Sequence, residues 1–463
     1  MAHGALKKLD AESRALLSSW DDIVRVTVHV LIIAAIVWGA SALLRAAVHE
    51  SLHALLHFAA VTAIWGPLAL SGTLLLGGLV RGLLNRRESW RDASGDGMDV
   101  ALANYHVTYD HEGDDPQPRY SRPAFGLAAK KGIATFLTLG SGGSGGLESP
   151  VVLMGEAIGA GWARVMRARS EHELRTYQLA AIAAAVATLL GAPFTAALFA
   201  IEVAYGDRII YRKLAYALLA AIVAYVLNNH MLGAEPLFDI GTHTRSYSLD
   251  EYGVVVLVAV FVSAPIALGF GWLTLRLRTV VERFDPLLRG LLGAAATALV
   301  VLALWFGADM EPAYVLGMGE DVVANLLTGA GDARLGTLWF LLLAIFGRML
   351  TTGLTLESGG SAGLLVPSMF FGGMSGAAMA SLLSLVGMGG LDPAIFVVAG
   401  IASALVAVVG VPMAAIALVL EIFGPEYGPP AVLACGLTYV VTLRFSLYGA
   451  QRSSPTPNAD EVG

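Results

Sequence analysis

The sequence is poor in cysteine and in charge. It has one cysteine, Cys435, among 463 residues, and only 14% of its residues are charged. A lone cysteine excludes an internal disulfide, and in its apolar surroundings we expect a small buried residue. Soluble domains carry about 25% charged residues, so 56% hydrophobic residues and a mean hydropathy of +0.69 predict a polytopic all-α membrane protein. The net charge of −7 gives no basic footprint for nucleic acid, which we exclude as a partner.

The polar segments at the two ends suggest how the chain is divided. We expect a cytoplasmic N-terminal segment at 1–25 and no cleavable signal, because the first apolar run, Val26–Leu44, is long enough to be retained as a span. Two membrane repeats at 26–230 and 250–451 and a short cytoplasmic tail at 452–463 complete the expected division. Basic residues near both ends favour cytoplasmic termini in a bacterial inner (plasma) membrane: Lys7, Lys8, Arg14, Arg444 and Arg452.

A glycine-rich stretch, Gly140–Gly161, is the most informative part of the chain. Five glycines and two serines precede Glu148, and Pro150 then begins an apolar helix of small residues. Proline in the first turn of a helix loses no hydrogen bond, because that N–H group would be unpaired. The start of the helix therefore offers free N–H donors and the positive end of the helix dipole. We interpret the stretch as an anion site with the Glu148 carboxylate at its entrance.

The chain repeats itself at an offset near 218 residues. The segment Ser144–Pro150 matches Ser361–Pro367, and residues 182–203 match residues 401–422. Duplicated halves with broken helices are typical of transporters whose binding site lies between the halves. Glycines four residues apart recur at 155/159 and 372/376 and favour close helix packing.

The repeat separates the glutamates into two kinds. Glu202 and Glu421 occupy equivalent positions in the two halves, which favours a shared structural role such as a hydrogen bond at a helix end. Glu148, in contrast, corresponds to Leu365 and breaks the symmetry. Because an ionisable residue at membrane depth is costly, we interpret Glu148 as functional.

These motifs resemble the CLC family of chloride channels and proton/chloride antiporters. Gly146-Leu147-Glu148-Ser149-Pro150 is similar to the family's gating-glutamate motif, and Gly363-Leu364-Leu365-Val366-Pro367 is similar to its Gly-x-Phe-x-Pro motif. Tyr448 corresponds to its pore tyrosine, and Ala93-Ser94-Gly95-Asp96-Gly97 is a weaker match to Gly-Ser-Gly-Ile-Pro. The resemblance spans about residues 20 to 452.

The resemblance implies two inverted-topology repeats of broken, tilted helices, in a homodimer with one pore per subunit. It implies that Glu148 gates the pore and stands on the proton pathway, competing with the anion for the same donors. It also implies the anion-binding residues: Ser94, Gly146, Ser149, Gly363, Leu364, Leu365 and Tyr448. No enzyme activity, cofactor or metal is expected.

Several positions depart from the family pattern. Asp96 and Gly97 replace Ile-Pro, which puts a carboxylate near a helix end that should bind anions, and the sequence does not decide where this side chain points. Leu365 replaces the phenylalanine, Leu147 replaces a basic residue, and Glu156 stands at a position usually held by a small residue. The transported anion is therefore left open: chloride is the first candidate, and bicarbonate, nitrate, thiocyanate and fluoride are alternatives.

The mode of transport is left open by one position. Family antiporters typically carry a second glutamate where this chain has Val203, which favours channel-like or weakly proton-coupled conduction. Proton/anion exchange through Glu148 is the alternative, since some antiporters also lack that glutamate. A cation-coupled symporter disagrees with helix starts that favour anions, and a membrane-embedded enzyme would need an acid/base partner that the apolar halves do not offer.

A polar connector could in principle bind a metal. Its candidate ligands are irregularly spaced, and we interpret them as a solvated loop: His106, Asp110, His111, Glu112, Asp114 and Asp115.

Overall fold

The computed structural model describes residues 11–62, 64–107, 124–206, 209–233, 247–328, 333–443 and 448. Within these residues the regular structure is helical, and the only extended pairings are isolated bridges. Residues 1–10 and the expected tail at 452–463 lie outside the described part of the chain. Of the five basic residues from which we placed the termini, only Arg14 is described, and it lies on the first helix.

In the described part of the first half, the α-helices are α1 Ala11–Val61, α2 Trp65–Asn85, α3 Met98–Val107, α4 Ala124–Leu139, α5 Glu148–Val165, α6 Glu171–Leu190, α7 Pro193–Tyr205 and α8 Tyr211–Leu232. The second half contains α9 Leu249–Leu257, α10 Ala264–Val281, α11 Pro286–Ala308, α12 Glu320–Thr328, α13 Leu338–Glu357, α14 Leu365–Leu385, α15 Pro393–Val409, α16 Pro412–Leu418 and α17 Gly428–Thr442. A π-helical turn, Val258–Ser263, joins α9 to α10, and another, Val419–Phe423, extends α16.

The first helix is longer than the sequence suggested. Instead of a surface segment followed by a span at 26–44, one helix of 51 residues runs from Ala11 to Val61. The stretch contains no proline and a single glycine, so nothing in it ends the helix. The boundary expected between residues 25 and 26 therefore falls inside a continuous helix.

Glycine and proline break the apolar segments at equivalent places in the two halves. Gly191 ends α6 with φ of 67°, and Pro193 begins α7. Gly410 ends α15 with φ of 75°, and Pro412 begins α16. The left-handed conformation is easily adopted by glycine, and proline suits a first helical turn. Seven helices among the described residues are long and apolar enough to cross a membrane, whereas α7, α15 and α16 are shorter.

The two halves run in opposite directions and bind each other at equivalent residues. The N–H group of Gly146 donates to the carbonyl of Gly363 at 2.8 Å, and the N–H group of Gly363 donates back at 2.6 Å, in an antiparallel pair. Such a reciprocal pair of equivalent residues requires a local two-fold relation, as inverted repeats have. The same exchange recurs where Ser361 N–H donates to Thr138 Oγ1 (2.9 Å) and Ser144 N–H to Thr355 Oγ1 (3.2 Å).

The glycines four residues apart allow the helix pairs α5/α6 and α14/α15 to touch. A Cβ at Gly155 or Gly159 would lie 2.8 or 2.6 Å from a backbone carbonyl oxygen of α6. Gly372 and Gly376 face the α15 carbonyls of Gly400 and Phe396 at still closer range. The prediction of close packing is confirmed at all four positions, and Cys435 is fully buried as expected.

Candidate anion pathway

Loops from both halves bring two helix starts together at the centre of the protein. The Gly146–Gly363 pair joins the loop before α5 to the loop before α14. Two further loops bind at this centre. The N–H group of Gly95 donates to the carbonyl of Gly360 at 2.7 Å, and the N–H group of Gly145 donates to the carbonyl of Gly317 at 3.1 Å. The N-termini of α5 and α14 therefore converge, and their free N–H groups create a region that favours negative charge.

Glu148 lies at the beginning of α5 and is only 1% exposed. Its carboxylate interacts with the backbone N–H group of Val366 in the first turn of α14, and its Oε2 atom has no hydrogen-bond partner among the described residues. Gly146 leaves room for this side chain, because a Cβ there would overlap Glu148 Oε2. The gating glutamate predicted from the sequence is thus a buried carboxylate placed between the two halves.

Ser149 provides a second buried polar atom without a partner. Its Oγ atom is buried and makes no hydrogen bond in the described part of the chain. It packs against Gly363, where a Cβ would lie 3.1 Å from Ser149 Oγ, and it faces the Asp96 carboxylate and the Tyr448 hydroxyl. Buried hydroxyl groups are rarely left unpaired.

The structure decides where Asp96 points. Its Oδ2 atom accepts hydrogen bonds from the N–H group of Leu364 at 3.1 Å and from the hydroxyl of Tyr448 at 3.4 Å. Its Oδ1 atom accepts from the N–H group of Met98 at 2.9 Å. The side chain therefore lies at the start of α14, on the donors that the resemblance assigns to an anion.

The other residues predicted to bind the anion lie at or near this centre. Gly363, Leu364, Leu365 and Tyr448 are buried around it. Ser94 is half-buried, and its hydroxyl donates to the Arg91 carbonyl at 2.6 Å, so in this conformation it turns away from the central donors.

Two cavities approach the centre. One, of about 330 Å³, reaches Ser94, Asp96, Leu364 and Tyr448 and is called the Ser94 cavity. The other, of about 270 Å³, is lined by His49, His53, His57 and Glu320 and is called the His49 cavity. Glu320 of the His49 cavity interacts electrostatically with Glu148, and Asp96 lines the Ser94 cavity.

Glu202 and Glu421 have the shared structural role expected from the repeat. Glu202 accepts from the N–H groups of Met413 at 2.9 Å and Ala414 at 2.8 Å, at the start of α16. Glu421 accepts from the N–H groups of Phe194 at 2.9 Å and Thr195 at 2.6 Å, at the start of α7. Each half thus supplies the carboxylate that caps a helix of the other half, and the prediction of a helix-end hydrogen bond is confirmed.

The interpretation of His106 as part of a solvated loop is wrong. This residue lies on α3, is buried, and its Nε2 atom lies 2.8 Å from the carbonyl oxygen of Ala204. The other five candidate ligands, Asp110 to Asp115, lie outside the described residues. Sequence reasoning also missed Lys131, which is fully buried on α4 and donates to Gly95 O at 2.8 Å. The signal that could have revealed it was the Lys130–Lys131 pair inside an otherwise apolar segment.

This arrangement defines a class of protein: an inverted-repeat membrane transporter whose facing helix starts hold a buried carboxylate. The family described as "Voltage gated chloride channel" matches residues 72–443, and the chain belongs to this CLC family. Its members transport anions and are not enzymes, so the membrane-embedded enzyme alternative is excluded.

Relatives within the family differ in their described activities. The chain is 28% identical over 330 residues to the "Chloride/fluoride channel protein" of Pseudomonas syringae pv. tomato, covering 69% of this chain and 67% of the relative. It is 27% identical over 298 residues to the "H(+)/Cl(-) exchange transporter ClcA" of Klebsiella pneumoniae subsp. pneumoniae, covering 61% of this chain and 59% of the relative.

Solved structures show the same fold. A CLC-type fluoride/proton antiporter superposes with a TM-score of 0.74 at 22% identity, covering 94% of this chain and 99% of that one. A slow cyanobacterial Cl⁻/H⁺ antiporter gives a TM-score of 0.74 at 21% identity, covering 91% and 94%.

Proposed function

We propose that this protein carries a small inorganic anion, with chloride as the first candidate, through a pathway gated by Glu148. The observation that carries the proposal is the pair of buried, unpaired polar atoms at the converging helix starts, Glu148 Oε2 and Ser149 Oγ. A carboxylate and a small anion compete for the same N–H and hydroxyl donors. When Glu148 leaves its position, the donors become available to an anion.

The proposed anion ligands are the residues around this point, each through a backbone N–H group, a hydroxyl group or close packing: Ser94, Gly146, Ser149, Gly363, Leu364, Leu365 and Tyr448. Ser94 takes part after its hydroxyl turns away from the Arg91 carbonyl. Leu365 offers its N–H group at the first position of α14 together with a buried side chain that narrows the path.

We propose channel-like or weakly proton-coupled conduction. Val203 follows Glu202 on α7 and is apolar and fully buried, so it cannot accept a proton. Glu202 binds two backbone N–H groups and is held as a helix cap. Proton/anion exchange is the second candidate, favoured by the unpaired Oε2 of Glu148, since this carboxyl group is also placed to take up a proton.

Two further proposals concern the assembly and its membrane. Exposed apolar side chains on α7, α16 and α17, among them Phe194, Met413 and Val432, offer a face for a second copy in a homodimer. Counting subunits by single-molecule photobleaching in liposomes tests this, and single-step bleaching throughout would contradict it.

We also propose a bacterial inner membrane and the division into repeats at 26–230 and 250–451.

Ion flux in liposomes tests the proposed function. Purified protein is reconstituted in chloride-loaded liposomes, and chloride efflux and external pH are recorded together, with valinomycin added first and a protonophore second. Efflux on valinomycin alone without proton uptake, at a rate changed by Glu148→Ala, supports the channel-like mode. Uphill proton movement that stops in Glu148→Ala would support exchange instead. Absence of flux for chloride and for fluoride, nitrate, thiocyanate and bicarbonate would contradict anion transport.

A further inference from the structure

The donors at the start of α14 are already engaged by a side chain of this protein. Asp96 Oδ2 accepts from Leu364 N–H at 3.1 Å and from the Tyr448 hydroxyl at 3.4 Å, and the unpaired Ser149 Oγ faces the same point. We call the point bounded by Leu364, Tyr448 and Ser149 the central position. A free anion would need the hydrogen-bond donors at this position, and in the structure Leu364 N–H and the Tyr448 hydroxyl donate to the Asp96 carboxylate.

Neighbouring groups fix Asp96 in this place. Met98 N–H binds its other oxygen at 2.9 Å, and the Lys131 ammonium group lies near enough to interact with it electrostatically. Lys131 donates to Gly95 O at 2.8 Å and to Ala93 O at 3.3 Å, so it also holds the loop that carries Asp96. Gly97 allows this approach, because a Cβ there would lie 2.8 Å from Lys131 Nζ.

The charges around the Ser94 cavity add to the effect of Asp96. The cavity is lined by four carboxylates and two guanidinium groups: Asp96, Asp99, Glu282, Glu357, Arg278 and Arg289. An anion that enters this cavity meets more carboxylates than guanidinium groups, and one of the carboxylates, Asp96, accepts the hydrogen bond from Leu364 N–H. A tethered group also has an effective concentration of about millimolar or higher at its own site, which a free anion must exceed.

We propose that Asp96 is a specificity-determining residue of the anion pathway, a second tethered carboxylate that occupies the central position and that an anion must displace. This inference rests on the proposed function, because it concerns the same path. Glu148 and Asp96 then stand in series, with Glu148 beside Val366 N–H and Asp96 on Leu364 N–H of the same helix start. Anions that bind hydrogen-bond donors weakly are then disfavoured, because they do not displace Asp96 from these donors.

Binding of chloride to the purified protein, measured by isothermal titration calorimetry, tests the proposal. In Asp96→Asn the amide oxygen still accepts from Leu364 N–H, while the negative charge is lost. We expect chloride to bind about tenfold or more tightly than in the unchanged protein, because a like charge a few Å away is removed. Asp99→Asn removes a charge from the same cavity at a residue other than the one bound to Leu364 and Tyr448, so it is the matched control and should give a smaller gain in affinity than Asp96→Asn.

Asp96→Asn leaves the buried Lys131 without a counter-charge, and the protein can fail to fold for that reason. A second variant keeps the test decisive in that case. Asp96→Asn combined with Lys131→Met removes both charges, and the same gain in affinity is expected. Unchanged chloride affinity in both variants, or an equal gain in Asp99→Asn, would overturn the role of Asp96. If the unchanged protein still conducts chloride in liposomes, the proposed function survives that result; absence of conduction and of binding in every variant would overturn both.

Discussion

Each half of the protein caps a helix of the other half with a glutamate, and this arrangement leads to a prediction about stability. Glu202 is 4% exposed and binds the N–H groups of Met413 and Ala414 at 2.9 and 2.8 Å. Replacement by glutamine keeps the shape of the side chain but leaves one acceptor oxygen in place of two, and turns an NH₂ group toward a helix start. One N–H group then has a neutral partner, and the other has none.

The cost follows from these two bonds. Hydrogen bonds to a charged group contribute about 1.5–3 kcal/mol and neutral ones about 0.5–1.5 kcal/mol, while a buried donor left unpaired costs about 1–3 kcal/mol. We therefore expect Glu202→Gln to lower the free energy of unfolding by about 3 kcal/mol. A loss of this size lowers Tm by several degrees in a chain of this length.

Thermal unfolding of the purified protein in detergent measures the effect. Glu50→Gln, which changes an exposed glutamate on α1, is the control and should alter stability by less than about 0.5 kcal/mol. Glu202→Gln that remains folded should conduct chloride at the normal rate, since Glu202 acts only as a cap. An unchanged Tm would refute this reasoning, and an unchanged Tm combined with lost conduction would indicate that Glu202 handles ions or protons instead.

Two further changes test the packing and the surface charges. Gly376→Ala places a methyl group against the Phe396 carbonyl, so we expect about 1–3 kcal/mol of destabilisation, visible as a lower Tm; Gly253→Ala, where nothing lies within 4 Å, is the control, and equal Tm values would contradict the prediction. Asp285 lies outside the spans, and the hydrogen bond from Arg86 holds the pKa of its carboxyl below the usual value. Its contribution to stability is therefore present above about pH 4 and is lost as the pH falls through the lowered pKa. Asp285→Asn should accordingly lower Tm slightly at pH 7 and lose that effect in acid; a deficit that persists in acid would indicate another cause.

Much of the fold could be predicted because the internal repeat allows residues at equivalent positions of the two halves to be compared. Equivalent positions of Glu202 and Glu421 indicated a role that does not depend on the transported ion, and the reciprocal caps agree. The asymmetry of Glu148 against Leu365 likewise identified the one buried carboxylate at the start of α5. The breaks after Gly191 and Gly410 were not predicted, although a glycine followed two residues later by proline is a local signal for them, since both residues act on the local backbone.

The parts that could not be predicted depend on residues distant in sequence. The direction of Asp96 is set by Lys131, which lies on α4, and by Leu364 in the other half. The burial of His106 depends on its contact with Ala204 of α7. The length of α1 was underestimated because hydropathy marks where a membrane begins, whereas helix propensity and the absence of a breaker decide where a helix begins.

The exchanged caps also bear on how the chain is made. When the ribosome has completed the first half, the N–H groups of Phe194 and Thr195 have no carboxylate, because Glu421 has not yet been synthesised. Gly146 likewise lacks its partner Gly363. Unpaired backbone groups are costly inside a bilayer, so the first half is incomplete until the second half supplies these partners. The central pathway is therefore assembled only when the second half enters the membrane and the two halves close on each other.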